Sequence, residues 1–339
     1  MRRLTEAAGV SGNEGEVRSI LKAEAGPNTD EMRVDPLGNL ITVKKGKRGG
    51  PKVMIAAHMD EIGLMISWIE KGGLLRFKKV GGIDDRVLVS KLVYVGPDKV
   101  PGVIGAKPIH LQEPSEREKP LKYDQLYIDI GAKSREEAEK KVKLGDPVAF
   151  ATRYEEIGRG YAKAKAFDDR VGCVVLAETL KNSYDFPLYG VFTVQEEVGL
   201  RGAATAAYSV EPDLAVVLEG TTCSDTPETK EHGQATTLGA GPAISLMDAT
   251  SIANKKMVAQ LVKVAEENGI PYQFRRTTFG GNDAGRIHLT KQGIPTCTLS
   301  VPTRYIHSPA SIIHLGDFAN ACRLLDLFLK SIEKGELQP

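Results

Sequence analysis

The run Val53-Met54-Ile55-Ala56-Ala57 is apolar at every position, with no alternation of polar residues. A strand that reads this way is buried on both faces, which restricts it to the interior of an α/β sheet. Downstream the pattern fits that setting. Beyond Asp168 the sequence predicts a helix over 171–180, a strand over 188–194, a short helix over 203–208 and a strand over 214–218. It continues with helix 252–267, strand 272–275, helix 284–289, strand 296–301 and a long helix over 315–332. Alternation of this kind implies a mainly parallel sheet with helices on both faces. Upstream, 3–8 reads as a helix, a second helix starts near Asn13, and 40–44 reads as a strand.

Between about Gly72 and Gly160 the texture changes to short β-like pieces separated by Gly, Pro and charged turns. These pieces are 74–77, 87–95, 103–104, 126–130 and 148–151, and the polar run 112–122 reads as an exposed loop. The expected organisation is therefore one α/β domain, residues 1–71 and 161–339, carrying an inserted β-rich domain at 72–160. A length of 339 residues agrees with two domains. A formal net charge of +1 argues against a polybasic nucleic-acid binder. No stretch approaches the ~20 apolar residues that span a bilayer, and MRRLTEAAGVSGNEG lacks the apolar core of a signal peptide. Cytoplasm is the expected compartment. The four cysteines are scattered without a CxxC pair, so they read as small buried residues in a reducing environment.

Open α/β sheets bind ligands beyond the carboxyl ends of their strands. Just past the apolar runs stand His58-Met59-Asp60, Gln195-Glu196-Glu197, Glu219 and His307, while Asp168-Asp169 stands ahead of the 171–180 helix. Singly, each has an ordinary explanation: a surface histidine, a helix cap or a solvated carboxylate pair. Converging carboxylates, however, repel one another and lose hydration. A divalent cation removes that conflict, and mixed His/carboxylate donors suit zinc or a neighbouring metal. Two metals sharing a carboxylate would use this many ligands. His58 and Asp60 point to the same side of an extended chain, so Asp60 can orient the His58 ring. Glu196 and Glu197 can serve one site only if the chain is turning there, which Gly199 and Gly202 permit. No GxSxG, Walker A or HExxH motif is present.

The segments AAHMDEIG, KAFDDRVG, VQEEVGLRGA, GGNDAGRIHLT and RYIHSPA resemble those of the di-metal tetrahedral aminopeptidase family, with its glutamyl, deblocking and cellulase-M-like members. The likeness also covers LTEAAGVSGNEGEV, VGGIDDRVL and GVIGAKPIHL, so it runs essentially end to end. It implies a phosphorylase/hydrolase-like α/β catalytic domain with an inserted PDZ-like β domain used in assembly. It implies two divalent ions per subunit, zinc or cobalt, with His58 on one and His307 on the other. Asp168 would bridge them, Glu197 would join the His307 ion and Glu219 would complete the His58 site. Glu196 would be the general base and Asp60 the partner of His58. Many relatives carry Asp where this chain has Glu219.

The expected activity is hydrolysis of the N-terminal peptide bond of short peptides by a homo-oligomer, from dimer to dodecamer. An endoglucanase-type glycoside hydrolase is the rival enzyme, but it leaves His58 and His307 without a task. A non-catalytic scaffold with a vestigial site is the rival outside enzymes. His110 reads as structural or interfacial and His288 as core.

Overall fold

A computed structural model describes residues 1–227 and 229–337. The chain opens with β1 (Glu31–Val34), β2 (Leu40–Lys44) and β3 (Val53–His58). Next come β4 (Gly63–Ile69), β5 (Leu75–Val80), β6 (Leu92–Val95), β7 (Val100–Gly105), β8 (Tyr127–Asp129) and β9 (Pro147–Phe150). It then runs through β10 (Glu155–Ile157), β11 (Tyr161–Ala164), β12 (Leu188–Thr193) and β13 (Leu214–Cys223). Last are β14 (Ala243–Ser245), β15 (Gln273–Arg275), β16 (Thr296–Arg304) and β17 (Ser311–His314).

Strands β4 to β9 close into a small antiparallel barrel with its own apolar core. The other eleven form one sheet, ordered β1-β2-β12-β3-β13-β16-β17-β11-β10 with β14 and β15 off the main path. The centre, β12-β3-β13-β16, is parallel, as is the short pair β14–β15 off the main path. The flanks are antiparallel because β1–β2, β10–β11 and β16–β17 are joined by short connections, which force a reversal. The expected mainly parallel sheet therefore holds for its core and not for its edges.

The unbroken apolar run of β3 has a direct packing cause. Val53, Ile55 and Ala57 face one layer, with the helices Gly15–Ala25, Phe167–Thr179, Lys255–Glu267 and Leu315–Glu333. Met54 and Ala56 face the other, with the helices Arg201–Val210 and Ala284–Ile287. Neither side of the run Val53–Ala57 meets water, and neither side of it carries a polar residue.

The barrel starts at Gly63 and its last strand ends at Phe150, earlier at both ends than the 72–160 division. The apolar β4 reads like more of the central sheet, and the charged hairpin β10–β11 reads like the insertion although it pairs with β17. The 112–122 run contains a one-turn helix, Pro114–Arg117, and is largely exposed as expected. All four cysteines are unpaired.

A buried charge cluster joins the chain's start to the segment carrying Asp168. Lys165 Nζ donates to both Glu61 oxygens at 2.7 Å, while Arg170 Nη2 at 3.3 Å and the Gly9 amide at 2.9 Å donate to Oε1. Burial pulls the Lys165 amine down to about 8 against the opposing pull of Glu61. Removing one partner of such a cluster strands the others in low dielectric. Glu61→Ala is expected to destabilise the fold by about 3–5 kcal/mol, read as a lowered urea midpoint; a loss below about 1 kcal/mol would mean that water screens the cluster.

Candidate metal centre

The parallel strands β3, β12, β13 and β16 end at one edge of the sheet, and β11 points the same way through its antiparallel link to β17. The five candidate segments follow from these strands, so they meet beyond a single edge. His58 is the last residue of β3 and is 1% exposed. Its Nε2 lies 3.2 Å from Asp168 Oδ1 and 3.6 Å from Glu219 Oε2. His307 Nε2 lies 3.3 Å from Asp168 Oδ2 and 3.4 Å from Glu197 Oε2. The two histidines thus share one aspartate, each facing a different oxygen. Within each trio the donor atoms lie inside 4.8 Å of one another.

Glu219 lies inside β13 rather than after it, because that strand runs on to Cys223. The adjacent aspartates, joined by a cis peptide bond, divide their tasks. Asp168 faces the histidines, while Asp169 accepts from the Gly172 amide at 3.0 Å and the His58 amide at 3.2 Å. Regular helical geometry begins only after Asp169. The helix-cap reading thus describes Asp169 and not Asp168.

Asp60 does more than orient an imidazole. His58 Nδ1 is 3.1 Å from the Asp60 carbonyl and 3.4 Å from its carboxylate. That carboxylate also accepts from the Glu196 amide at 3.0 Å, the Glu197 amide at 3.2 Å and the Ser11 hydroxyl at 2.6 Å. It therefore folds the Glu196-Glu197 turn onto the histidine. The turn itself bends through Gln195, at φ 57°. Gly202 has another role: a Cβ there would meet Asn39 Oδ1 and the Val194 backbone. Ala166 and His307 also sit at positive φ, 55° and 57°. Such conformations cost of order 1–3 kcal/mol each, and here each lies at or within two residues of a group aimed into the centre.

Two partners carried no clear sequence signal. His307 Nδ1 bonds to the carbonyl of Gly82 at 2.9 Å, a residue just past β5 of the barrel. Ser11 belongs to VSGNEG, where a small polar residue reads as part of a turn. Of the other histidines, His110 is exposed and His288 is half-buried with Nδ1 2.7 Å from the Ala284 carbonyl.

Electrostatics agree with a cation site. Burial drives the Glu196 and Glu219 carboxyls well up and Glu197 to about 8, with neighbouring carboxylates adding to each rise. Burial would also raise Asp168, but the hydrogen bonds from His307 and His58 outweigh it and hold it low. His307 is pushed up to about 9: burial lowers it, and Asp168 and Glu197 more than reverse that. Among the described residues, Glu197 Oε1 and Glu219 Oε1 are buried with no hydrogen-bond partner, at a usual cost of about 1–3 kcal/mol each. Donors held ~2.0–2.2 Å from a tetrahedral ion stand roughly 3.3–3.6 Å apart, close to the spacings of both trios. The residues present fit two divalent ions. Glu196 Oε2, at 4.0 Å from His58 Nε2, stands outside that spacing. Beside the cluster opens a cavity of about 350 Å³.

Comparisons with known proteins point the same way. The family described as M42 glutamyl aminopeptidase matches residues 38–324, and a shorter match described as AMPT covers 1–21. A TET aminopeptidase from Thaumarchaeota archaeon SCGC AB-539-E09 is 40% identical with a TM-score of 0.95, over 98% of this chain and 95% of that one. The lysyl aminopeptidase of Pyrococcus furiosus is 32% identical, over 100% of this chain and 98% of the relative. A structure from Thermotoga maritima described as an endoglucanase is 38% identical with a TM-score of 0.82, over 99% and 97% of the two chains. With its shared-aspartate centre and full-length likeness, this chain belongs to the M42 glutamyl aminopeptidase family, and its activity is that of an aminopeptidase.

Proposed function

We propose that the chain removes the N-terminal residue of short peptides with two divalent ions and a glutamate base. The observation that carries this reading is Asp168, whose two oxygens face His58 and His307 at 3.2 and 3.3 Å. His58, Asp168 and Glu219 would hold one ion, and Asp168, Glu197 and His307 the other. When bound, such a pair, zinc or cobalt, supplies Lewis acidity that acidifies a water toward pKa ~7 and polarises the scissile carbonyl.

The remaining work falls to the chain's own groups. Glu196 lines the cavity and is not spent on a histidine. Its carboxylate takes the proton from the attacking water and passes it to the leaving amine. Asp60 locks the His58 ring and, through two backbone amides, the placement of Glu196 and Glu197. The α/β part is the catalytic unit and the barrel the assembly unit. Leu92 and Ile109 are exposed there, at 63% and 68%, and support a homo-oligomer.

A glycoside hydrolase using a carboxylate pair needs neither histidine nor metal. The endoglucanase description of one relative is therefore tested by chelation. Exhaustive EDTA treatment is expected to abolish release of the first residue, and zinc or cobalt to restore it; activity on cellodextrins that survives EDTA would favour the glycosidase. A scaffold would release nothing in either state.

Two variants test the division of roles. Glu196→Gln is expected to lower turnover about 10²–10⁴-fold while elemental analysis still counts two ions per chain; near-normal turnover would remove its role as base. His307→Ala is expected to retain one ion rather than two, and unchanged stoichiometry would contradict the ligand assignment.

A further inference from the structure

Behind the cavity wall sits a buried carboxylate that the proposed reaction does not use. Asp283 is 1% exposed and follows Gly280-Gly281-Asn282, which line the cavity. Its backbone carbonyl accepts from the Arg286 and Ile287 amides at 3.1 Å, so the short helix Ala284–Ile287 fixes it from one side. Its Oδ2 accepts from the Thr193 hydroxyl at 2.5 Å, the length of a charge-assisted bond. Among the described residues, its Oδ1 is buried with no partner.

Thr193 is where two parts of the centre meet. It is the last residue of β12 and pairs in register with His58. Its carbonyl accepts from the Met59 amide at 2.7 Å, and Glu196 stands three residues further on. Past it the chain turns, with the Val194 amide donating to Asn39 Oδ1 at 3.0 Å and the Glu196 and Glu197 amides donating to Asp60. A rotation at Thr193 would therefore swing the Glu196 carboxylate relative to the strand that carries His58. A neutral acceptor would satisfy one hydroxyl without leaving a dry, bare oxygen, which usually costs about 1–3 kcal/mol. What the carboxylate adds at that cost is grip, because a charge-assisted bond is roughly twice as strong as a neutral one.

We propose that Asp283 is a positioning residue: through the Thr193 hydroxyl it holds the end of β12 so that Glu196 is presented to the attacking water. The role rests on the reading of Glu196 as the base. Asp283 itself touches no reacting atom. Because it continues directly from the loop lining the cavity, it also ties that wall to the strand leading to the base.

The test uses the metal-loaded full chain and a Leu-anilide. Asp283→Ala is expected to lower kcat roughly 10- to 100-fold, with KM within about threefold and two ions still counted per chain. Asp283→Asn, which keeps an acceptor, is expected to fall between that variant and the wild type. Thr193→Val should lose as much as Asp283→Ala, and the double variant should fall no further than either alone. In a Glu196→Gln background, both Asp283→Ala and Thr193→Val should cost nothing more. An unchanged kcat, a lost ion, or a loss of the same factor in the Glu196→Gln background overturns the positioning role and leaves the peptidase intact. Should Asp283→Ala fail to fold, Thr193→Val with and without Glu196→Gln decides the same question. Failure of the wild type to cleave any anilide with both ions bound overturns the peptidase reading itself.

Discussion

A single carboxylate, Asp168, lies between two imidazoles that arrive from strands on different parts of the sheet. Everything around it serves that placement. Asp169 ties the same segment to the His58 amide, and the Lys165–Glu61–Arg170 cluster anchors its flanks to the start of the chain. The central strands supply position and their carboxyl ends supply reach. Buried carboxylates in such number are tenable only with positive charge among them. Residues that look energetically unfavourable one at a time thus become a coherent set.

The legible part of the fold was the part with one unambiguous signal. β3 has no polar position before its terminal His58, and its location in the middle of the sheet follows from that run. β2 runs from Leu40 to Lys44, as its composition predicts. The candidate donors stood out because most of them follow, or interrupt, an apolar run, whereas Asp168 stands ahead of a helix. The antiparallel flanks were not, since β14 and β17 are too short to show a period. The barrel boundary was blurred for a related reason: Gly63–Ile69 carries the apolar character of the central strands while pairing elsewhere.

Within the centre, the sequence separates residues by type but not by partner. That Asp60 would receive the amides of Glu196 and Glu197 depends on a turn whose left-handed position is Gln195, not a glycine. Glu219, conspicuous for its extra methylene, occupies its place inside a longer strand without disturbing the spacing to His58.

The carbonyl of Gly82 joins the two parts of the molecule at their most sensitive point. It holds one ring nitrogen of His307, and so fixes which face the other nitrogen presents. A Cβ at Gly81 would press on Ile62 and approach Glu197, so the loop has little room to slide. The barrel is therefore no detachable appendage. Excising it would spare every candidate donor in the sequence and still let one imidazole swing free, and any tilt of the barrel would be transmitted as torque on that ring.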